Sequence, residues 1–271
     1  MQVIYFTKFL KGYSAAQIGE LAKNLKFDGL DLAIRAGQCV NPSNVTEALP
    51  QALEVWRAMG LTVPLATLEG SAVDPHQPDV QAIFEACGTA GIPCIKLGYW
   101  TWKAGQFYWD DVTNIRRALD GFQQLGERYG ICSLIHTHSD RFYASNASGA
   151  MHLVRGFDPR YIGVYLDPAH LALDGETLPM ALDIVRGYLK MVGVKNVRYQ
   201  PSTAHDGPRW KTDWCLLSEG LVDWPGTIQL LNDAGYDGPL SVHGEYSASE
   251  ETVEILKSVA ADMASLRRFA S

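Results

Sequence analysis

The amino-acid sequence predicts an α/β protein, a single (β/α)8 barrel that spans residues 1–271 as one domain. Eight short apolar runs alternate with eight stretches of helical character, and such regular alternation indicates a parallel sheet. No Ser-, Gly- or Pro-rich linker divides the chain. No point of reversed strand order is evident, which favours a closed barrel over an open sheet. The chain length also fits, because roughly 250 residues commonly form one such barrel.

Each apolar run has the length of a parallel strand that is buried on both faces. The predicted strands are Val3–Thr7, Gly29–Ile34, Thr62–Leu68, Cys94–Gly98, Cys132–His136, Gly163–Asp167, Met191–Lys195 and Leu240–Glu245. The first run has no basic region before it, so we interpret it as a strand and not as a signal peptide. No window approaches the roughly 18 apolar residues of a membrane helix.

Polar residues before the helical stretches predict where the helices begin, since their side chains cap helix N-termini. These residues are Ser14, Ser43, Asp110 or Asp111, Asp223 and Ser249. Glycines predict where several helices end, because glycine adopts the left-handed turn that terminates a helix. No glycine-rich phosphate-binding motif follows any strand, which argues against a nucleotide-binding protein.

The charge and the cysteines exclude several classes of function. The net charge of −7 argues against a general binder of nucleic acids or acidic membranes. The five cysteines are scattered and form no CxxC pair, so neither a zinc knuckle nor a thioredoxin-like motif is predicted. This pattern favours reduced thiols and a cytoplasmic protein.

Metal-ligand and acid/base side chains end four consecutive predicted strands, the fifth to the eighth. These ends read His136-Thr137-His138-Ser139-Asp140, Asp167-Pro168-Ala169-His170, Lys195-Asn196 and His243-Gly244-Glu245-Tyr246. Catalytic groups of parallel barrels come from the carboxyl ends of the strands. Residues two apart in a strand share a face, which pairs His136 with His138 and His243 with Glu245. We therefore expect one site to be built from these four ends.

The residue types at these ends predict a divalent metal. The expected ligands are His136, Asp167, His243 and Glu245, and the expected catalytic groups are Glu245, Lys195, His138 and His170. Imidazole and carboxylate together suit Mn²⁺, Zn²⁺, Fe²⁺ or Co²⁺ better than Mg²⁺. Structural roles are the alternatives, such as a turn-capping aspartate at Asp167 or histidines that only orient other ligands.

Aromatic residues crowd the loops after the fourth and seventh strands, and aromatic rings stack well on sugars. We predict substrate contacts from Trp100, Trp102 and Trp210, and from Glu69 at the end of the third strand. The alternatives are a solvated loop position for Glu69 and, for the aromatics, a loop cap or a homo-oligomer interface.

These motifs resemble the xylose isomerase-like TIM barrels of the sugar phosphate isomerase/epimerase type, over essentially the whole chain. The segments with HxHS after strand five and HxEY after strand eight carry the resemblance most specifically. The common pattern of that family binds one metal through Glu, Asp, His and Glu on strands five to eight. Asp167 matches this pattern, whereas the other three positions correspond to His136, Gly193 and His243. The resemblance therefore implies a less negative ligand set, with a metal-free site built on Lys195 as the alternative.

The resemblance and the strand ends together predict a sugar (phosphate) isomerase or epimerase that removes a proton next to a carbonyl. A lyase or dehydratase acting on an oxidised sugar, inositol or glycoside is the first alternative, because it begins with the same proton abstraction. A Schiff base at Lys195, an apurinic endonuclease, and a metal-free barrel that only binds a sugar or a partner are further alternatives. The expected partner is a small carbohydrate substrate, with no nucleic acid and no membrane.

Overall fold

The computed structural model describes residues 1–202 and 207–269, and at its centre is a closed barrel of eight parallel strands. The barrel strands are β1 (Val3–Phe6), β2 (Gly29–Ala33), β3 (Thr62–Thr67), β4 (Cys94–Lys96), β5 (Cys132–His136), β6 (Ile162–Leu166), β7 (Leu189–Val194) and β10 (Leu240–Val242). Around the ring they follow the order β1, β10, β7, β6, β5, β4, β3, β2, and β2 pairs again with β1. The predicted fold class is confirmed.

Helices surround the barrel and bury their apolar faces against it. They are α1 (Ala15–Asn24), α2 (Val45–Ala58), α3 (Pro78–Ala90), α4 (Tyr108–Tyr129), α5 (Ala147–Val154), α6 (Pro168–Asp174), α7 (Leu178–Val185), α8 (Trp224–Asp233) and α9 (Thr252–Phe269). Trp56 of α2 and Trp224 of α8 are fully buried in this layer. Within the described residues, no helix is both long and apolar enough to cross a membrane.

A small apolar layer fills the interior of the barrel. It contains Ile4, Leu65, Cys132, Leu134, Tyr165 and Met191, one or two residues from each of five strands. Inward-pointing side chains of parallel barrels form such packed layers, so the barrel is not a pore. The space for a ligand is therefore restricted to the carboxyl ends of the strands.

All eight predicted strands are present, but most of them end earlier than the sequence suggested. The last one was predicted to reach Glu245, whereas β10 ends at Val242. The amide of His243 still donates to the Val194 carbonyl, and Gly244 then adopts a positive φ of 63° that turns the chain away from the sheet. His243 and Glu245, the residues with predicted chemical roles, thus lie in the loop that follows the strand.

Two of the five predicted helix starts are confirmed. Ser14 caps α1 through a reciprocal capping box with Gln17. Asp223 caps α8 by accepting a hydrogen bond from the Gly226 amide. Gly91 and Gly130 adopt the left-handed conformation at the ends of α3 and α4, as expected of glycines that end helices.

The other three predicted starts are wrong because the side chains bond elsewhere. Ser43 donates its hydroxyl to Asn41, and α2 begins after Asn44 instead. Asp110 and Asp111 lie inside the first turn of α4, where Asp111 accepts a hydrogen bond from the Tyr143 hydroxyl. Ser249 accepts from the Glu251 amide in the preceding turn, so α9 begins at Thr252.

An antiparallel hairpin that the sequence did not predict lies between β7 and α8. It consists of β8 (Asn196–Pro201) and β9 (Trp210–Cys215). Its residues are largely polar and partly exposed, so the pattern of a buried parallel strand does not detect them. The hairpin follows Lys195 directly and brings Trp214 to the carboxyl ends of the strands.

Candidate active site

A cavity of about 110 Å³ opens at the carboxyl ends of the barrel strands. It is lined by Phe6, Lys8, Asp31, Arg35, Thr67, Lys96, Tyr99, His136, His138, Tyr165, Lys195, His243 and Glu245. Three of the four polar strand ends, those after β5, β7 and β10, therefore converge on this cavity. The fold explains this convergence, because parallel strands of a barrel present all their carboxyl ends at the same rim.

Three buried ligand atoms face one another beside this cavity. The Oδ2 atom of Asp167 lies 3.4 Å from Nε2 of His136 and 3.7 Å from Nδ1 of His243. All three atoms lie within 4.8 Å of one another. Within the described residues none of them has a hydrogen-bond partner, although each is inaccessible to water. Because buried polar atoms in proteins are almost always hydrogen-bonded, this group indicates a binding site.

Asp167 is fixed by the start of α6. Its Oδ1 atom accepts from the amides of Ala169 and His170, while its own amide donates to Thr137 Oγ1. The other carboxylate oxygen lies against Gly193, where a Cβ atom would come within 2.9 Å of it. Asp167 thus combines the helix-capping role with an oxygen that faces the two histidines, and its place requires glycine at position 193.

Two tyrosines orient the histidine rings. The hydroxyl of Tyr99 lies 3.0 Å from Nδ1 of His136, and that of Tyr165 lies 2.6 Å from Nε2 of His243. In each ring the nitrogen that contacts the tyrosine is the one that does not face Asp167. Such contacts fix the ring orientation and leave the second nitrogen free for a ligand.

Lys195 connects the remaining predicted residues. Its Nζ atom lies 2.8 Å from both Oε2 of Glu245 and Nε2 of His170, and 3.4 Å from Oδ2 of Asp167. The other oxygen of Glu245 accepts from Lys8 at 3.0 Å. Lys195 is thus held by two carboxylates, and Glu245 by two ammonium groups.

His138 stacks on His170, which contacts Lys195. Their ring centroids are 3.9 Å apart, with an angle of 30° between the planes. His170 contacts Lys195 through Nε2, and its Nδ1 lies 2.8 Å from the hydroxyl of Ser139. Nδ1 of His138 lies 3.1 Å from the Ser139 carbonyl oxygen. His138 also lines the cavity.

Burial and charge set the protonation states of these groups. Burial lowers the pKa of His243 to about 4, with Lys195 acting in the same direction, and it lowers the pKa of His136 well below its usual value. Burial alone would raise the pKa values of Asp167 and Glu245, but Lys195 and the neighbouring histidines, together with Lys8 for Glu245, outweigh it and hold both pKa values well below their usual range. The pKa of Lys195 is raised, since the two carboxylates outweigh its burial. At neutral pH the site therefore holds neutral imidazoles, two carboxylates and one ammonium.

A family model described as xylose isomerase-like TIM barrel matches residues 7–268. The chain belongs to this family. The resemblance predicted from the strand ends is therefore confirmed. No curated protein matches the chain in sequence.

Solved structures of the same fold include sugar epimerases. The chain is similar to 3-keto-D-glucoside 4-epimerase from E. coli, with a TM-score of 0.75, 16% identity and 99% coverage of both chains. It is similar to D-psicose 3-epimerase from Clostridium cellulolyticum H10, solved with D-tagatose, with a TM-score of 0.73, 13% identity and 99% coverage of both. The chain is also similar to a xylose isomerase-like TIM barrel protein from Mycobacterium smegmatis, solved in complex with magnesium. The TM-score is 0.70 and the identity 14%, with coverage of 99% of this chain and 96% of the other.

A divalent metal fits the donor set that this family member presents. Neutral histidine nitrogens and an ionised carboxylate are the protonation states that metal binding requires. Among the described residues, His136 Nε2, Asp167 Oδ2 and His243 Nδ1 have no hydrogen-bond partner and face one another, so a bound cation would satisfy all three at once. Glu245, predicted as a fourth ligand, is instead paired with Lys8 and Lys195. Among the described residues, the side chains that could hold a metal ion together are therefore His136, Asp167 and His243.

The predicted substrate-binding residues do not belong to the described lining of the cavity. Within the described part of the chain, the lining does not include Trp100, Trp102, Trp210 or Glu69. Trp100 and Trp102 are half-buried, Trp210 is 59% exposed, and Glu69 accepts a hydrogen bond from the Ala36 amide. Glu69 lines a neighbouring cavity together with Lys8 and Arg35, which border both spaces.

Several cavity residues were missed by the sequence prediction. They are Lys8, Asp31, Arg35, Lys96 and Tyr165 in the lining, and Trp214, whose ring lies 4.4 Å from Lys195 Nζ and 5.2 Å from the His170 ring. For Asp31 and Lys96 a signal existed, because each is a charged residue in an otherwise apolar strand. Trp214 belongs to the aromatic residues that crowd the loop after the seventh strand, but the sequence did not show that it, and not Trp210, contacts Lys195 and His170, since this depends on the hairpin.

Proposed function

We propose that the protein is an isomerase or epimerase of a keto- or aldehydo-sugar and acts by moving a proton next to a carbonyl. The observation that carries the proposal is the group of three buried ligand atoms that lack a hydrogen-bond partner among the described residues and lie beside the Lys195–Glu245 pair. The three ligand atoms are suited to hold a cation near a carbonyl oxygen, and Glu245 offers an ionised carboxylate that can accept a proton. The epimerases of the same fold support this choice of reaction.

A divalent metal held by His136, Asp167 and His243 would supply a Lewis acid that polarises the carbonyl of the substrate. Two imidazoles and one carboxylate favour Mn²⁺, Zn²⁺, Fe²⁺ or Co²⁺ as the ion. Lys195 contributes a fixed positive charge at 3.4 Å from Asp167, which lowers the affinity for any cation.

The residues of this chain divide the proton chemistry between them. Glu245 is ionised and 21% exposed on its side chain, so it accepts the proton from the substrate carbon. The Lys195 ammonium stabilises the negative charge that develops on oxygen, and His170, which accepts a hydrogen bond from this ammonium, holds it in place. His138, a neutral ring in the cavity wall, is the alternative base.

A lyase is the second candidate, and one observation favours it. The two carboxylates in the cavity lining are Glu245 and Asp31, and Asp31 already accepts hydrogen bonds from Thr67 and Ser241. Among the described residues of the lining, Glu245 is therefore the carboxylate placed to serve as a base, and elimination, like aldose–ketose isomerisation, requires only one base. Epimerisation requires a second proton-transfer group on the opposite face of the carbon.

Product analysis tests the proposal. The purified protein is incubated in D₂O with Mn²⁺, Zn²⁺, Fe²⁺ or Co²⁺ and a panel of D-fructose, D-psicose, D-tagatose and a 3-keto-glucoside, and products are followed by NMR. We expect an isomer of the substrate that differs from it in mass only by incorporated deuterium, and loss of turnover in His243→Ala but not in His152→Ala, an exposed histidine outside the site. Elimination products would instead establish the lyase. Binding without multiple turnover would indicate a sugar-binding barrel, and full activity of His243→Ala would contradict the proposed site.

The proposal includes a small carbohydrate as the partner and a cytoplasmic location. The five free cysteines support that location, since disulfides are common in oxidising compartments. Two exposed aromatic residues, Phe107 just before α4 and Trp109 in its first turn, support a homo-oligomer.

A further inference from the structure

Lys96 is a charged residue at the base of the cavity that the proposed chemistry has not used. It is the last residue of β4, it is 1% exposed, and its side chain lines the cavity. Its Nζ atom lies 3.3 Å from the ring centroid of Tyr99, the tyrosine that orients His136. The amine is therefore held over an aromatic face next to the proposed reaction centre.

Within the described residues, Nζ of Lys96 has no hydrogen-bond partner. Fully buried lysines are rare in proteins and normally pair with a carboxylate. The acid deepest in the cavity, Asp31, does not fulfil this role, because its oxygens accept from Thr67 and Ser241. An unpaired buried amine destabilises a protein, so its presence indicates a role in function and not in folding.

The position of Lys96 in the ring of strands defines that role. β4 and β10 lie on opposite sides of the barrel, since three strands separate them in either direction. Lys96 belongs to β4, whereas Glu245 follows β10, and both side chains line the same cavity. A sugar between them would thus have Glu245 on one face and Lys96 on the other. This is the arrangement that inversion at carbon requires.

We infer that Lys96 is the second proton-transfer residue of the epimerisation, acting on the substrate face opposite Glu245; this inference rests on the proposed function. Glu245 takes the proton from the carbon next to the carbonyl, and the C–H electron pair moves toward the carbonyl oxygen to form an enediolate. Lys96, in its ammonium form, then donates a proton to the opposite face of the same carbon while the carbonyl re-forms. Glu245 ends protonated and Lys96 neutral, and exchange with solvent restores both.

The surroundings of Lys96 are compatible with both protonation states. Burial and the nearby Arg35 lower the pKa of Lys96 well below its usual value, whereas Asp31 raises it. An amine in this setting releases its proton more readily than an exposed lysine does. It can therefore act as acid in one direction of the reaction and as base in the other.

Thermal unfolding provides a first test that needs no substrate. Lys96→Met keeps the length of the side chain and removes the unpaired amine. We expect its Tm to equal or exceed that of the wild type, as for a residue retained for function. A clear fall in Tm would show that the amine supports the fold and would overturn the inference. Lys103→Met, an exposed lysine in the loop after β4, is the matched control and is expected to leave Tm unchanged.

Isotope exchange in D₂O provides the decisive test, with the same sugar panel and the same NMR readout. Wild type is expected to invert the carbon and to incorporate deuterium. Lys96→Met should keep exchange for the epimer whose hydrogen faces Glu245 and lose inversion by at least about 100-fold. Glu245→Gln should keep exchange for the other epimer, whose hydrogen faces Lys96, and should also lose inversion.

The other outcomes separate this inference from the proposed function. Inversion by Lys96→Met at the rate of wild type or of Lys103→Met would overturn the role of Lys96 and leave the proposed function intact. A borohydride-trapped substrate adduct on Lys96 would also overturn it, because Lys96 would then be a nucleophile. Absence of both exchange and inversion in the wild type would overturn the proposed function and this inference together.

Discussion

The hydroxyl of Tyr165 lies 2.6 Å from Nε2 of His243, and this contact selects which nitrogen of the ring faces Asp167. If Nδ1 is to bind a cation, the proton of the neutral ring must be on Nε2, which then donates to Tyr165. The Tyr165 hydroxyl in turn points to Asp31 Oδ2 at 3.4 Å. A carboxylate, a tyrosine and a histidine thus form a chain that prepares Nδ1 for a ligand.

This chain predicts that Tyr165→Phe weakens metal binding. Loss of such an outer contact typically lowers metal affinity by about 10- to 100-fold, and we expect a loss in that range with the fold retained. Competition against a chelator measures the affinity, and circular dichroism follows the fold. Tyr188→Phe is the control, since its hydroxyl bonds the Phe157 carbonyl away from the cavity. Wild-type affinity in Tyr165→Phe would contradict the proposed tautomer of His243.

A second prediction concerns the opposite effects of Lys195 on stability and on metal binding. Lys195→Met leaves Asp167 and Glu245 buried without their main counter-charge, and removal of one partner from a buried pair costs about 3–5 kcal/mol. We expect urea unfolding in the presence of chelator to show a loss of this size. Metal affinity should increase at the same time, because a positive charge 3.4 Å from Asp167 is gone.

Lys257→Met is the control for this second prediction. Lys257 forms an exposed pair with Glu254 at 2.7 Å, and exposed pairs contribute little to stability. Removal of the Lys257 ammonium should therefore change neither the free energy of unfolding nor the metal affinity appreciably. A Lys195→Met protein as stable as the wild type would show that the two carboxylates do not depend on Lys195.

The sequence predicted the barrel and the convergence of His136, Asp167 and His243, because both follow from strand order and side-chain alternation. It did not predict that Glu245 pairs with two lysines, since Lys8 precedes it by more than two hundred residues and meets it only when β1 and β10 close the barrel. The place of Trp214 was equally inaccessible, because it depends on a hairpin of mostly polar residues. Local pattern thus indicated which three side chains meet, whereas long-range contacts set the charges around them.

A third prediction links Asp262 of α9 to the pH dependence of stability. Burial raises the pKa of Asp262 to about 6, although the Leu217 amide and the Tyr246 hydroxyl donate to it. The folded state thus binds this proton more tightly than the unfolded state, whose carboxyl has a pKa near 3.8. The stabilisation is complete below the unfolded pKa and disappears as the pH rises through about 6.

The variant Asp262→Asn isolates this contribution, because the amide retains the shape and cannot ionise. We expect the free energy of unfolding of the wild type, relative to Asp262→Asn, to fall by about 2–3 kcal/mol between pH 4 and pH 8, since each pKa unit corresponds to about 1.4 kcal/mol. Urea titrations across this range measure the difference. A difference that is constant with pH would contradict the raised pKa.

The last prediction compares the two tryptophans of β9, which lie four residues apart on the same strand. Trp214 is half-buried and its ring contacts Lys195 and His170, whereas Trp210 is 59% exposed. An aromatic contact of this kind contributes about 0.5–1.5 kcal/mol. We therefore expect Trp214→Leu to raise KM or lower kcat for the sugar that the enzyme converts by about 2- to 10-fold. Trp210→Leu should have the smaller effect, and steady-state kinetics of both variants measure it. The reverse order would support the substrate contact predicted for Trp210 and would exclude Trp214 from the substrate-binding wall.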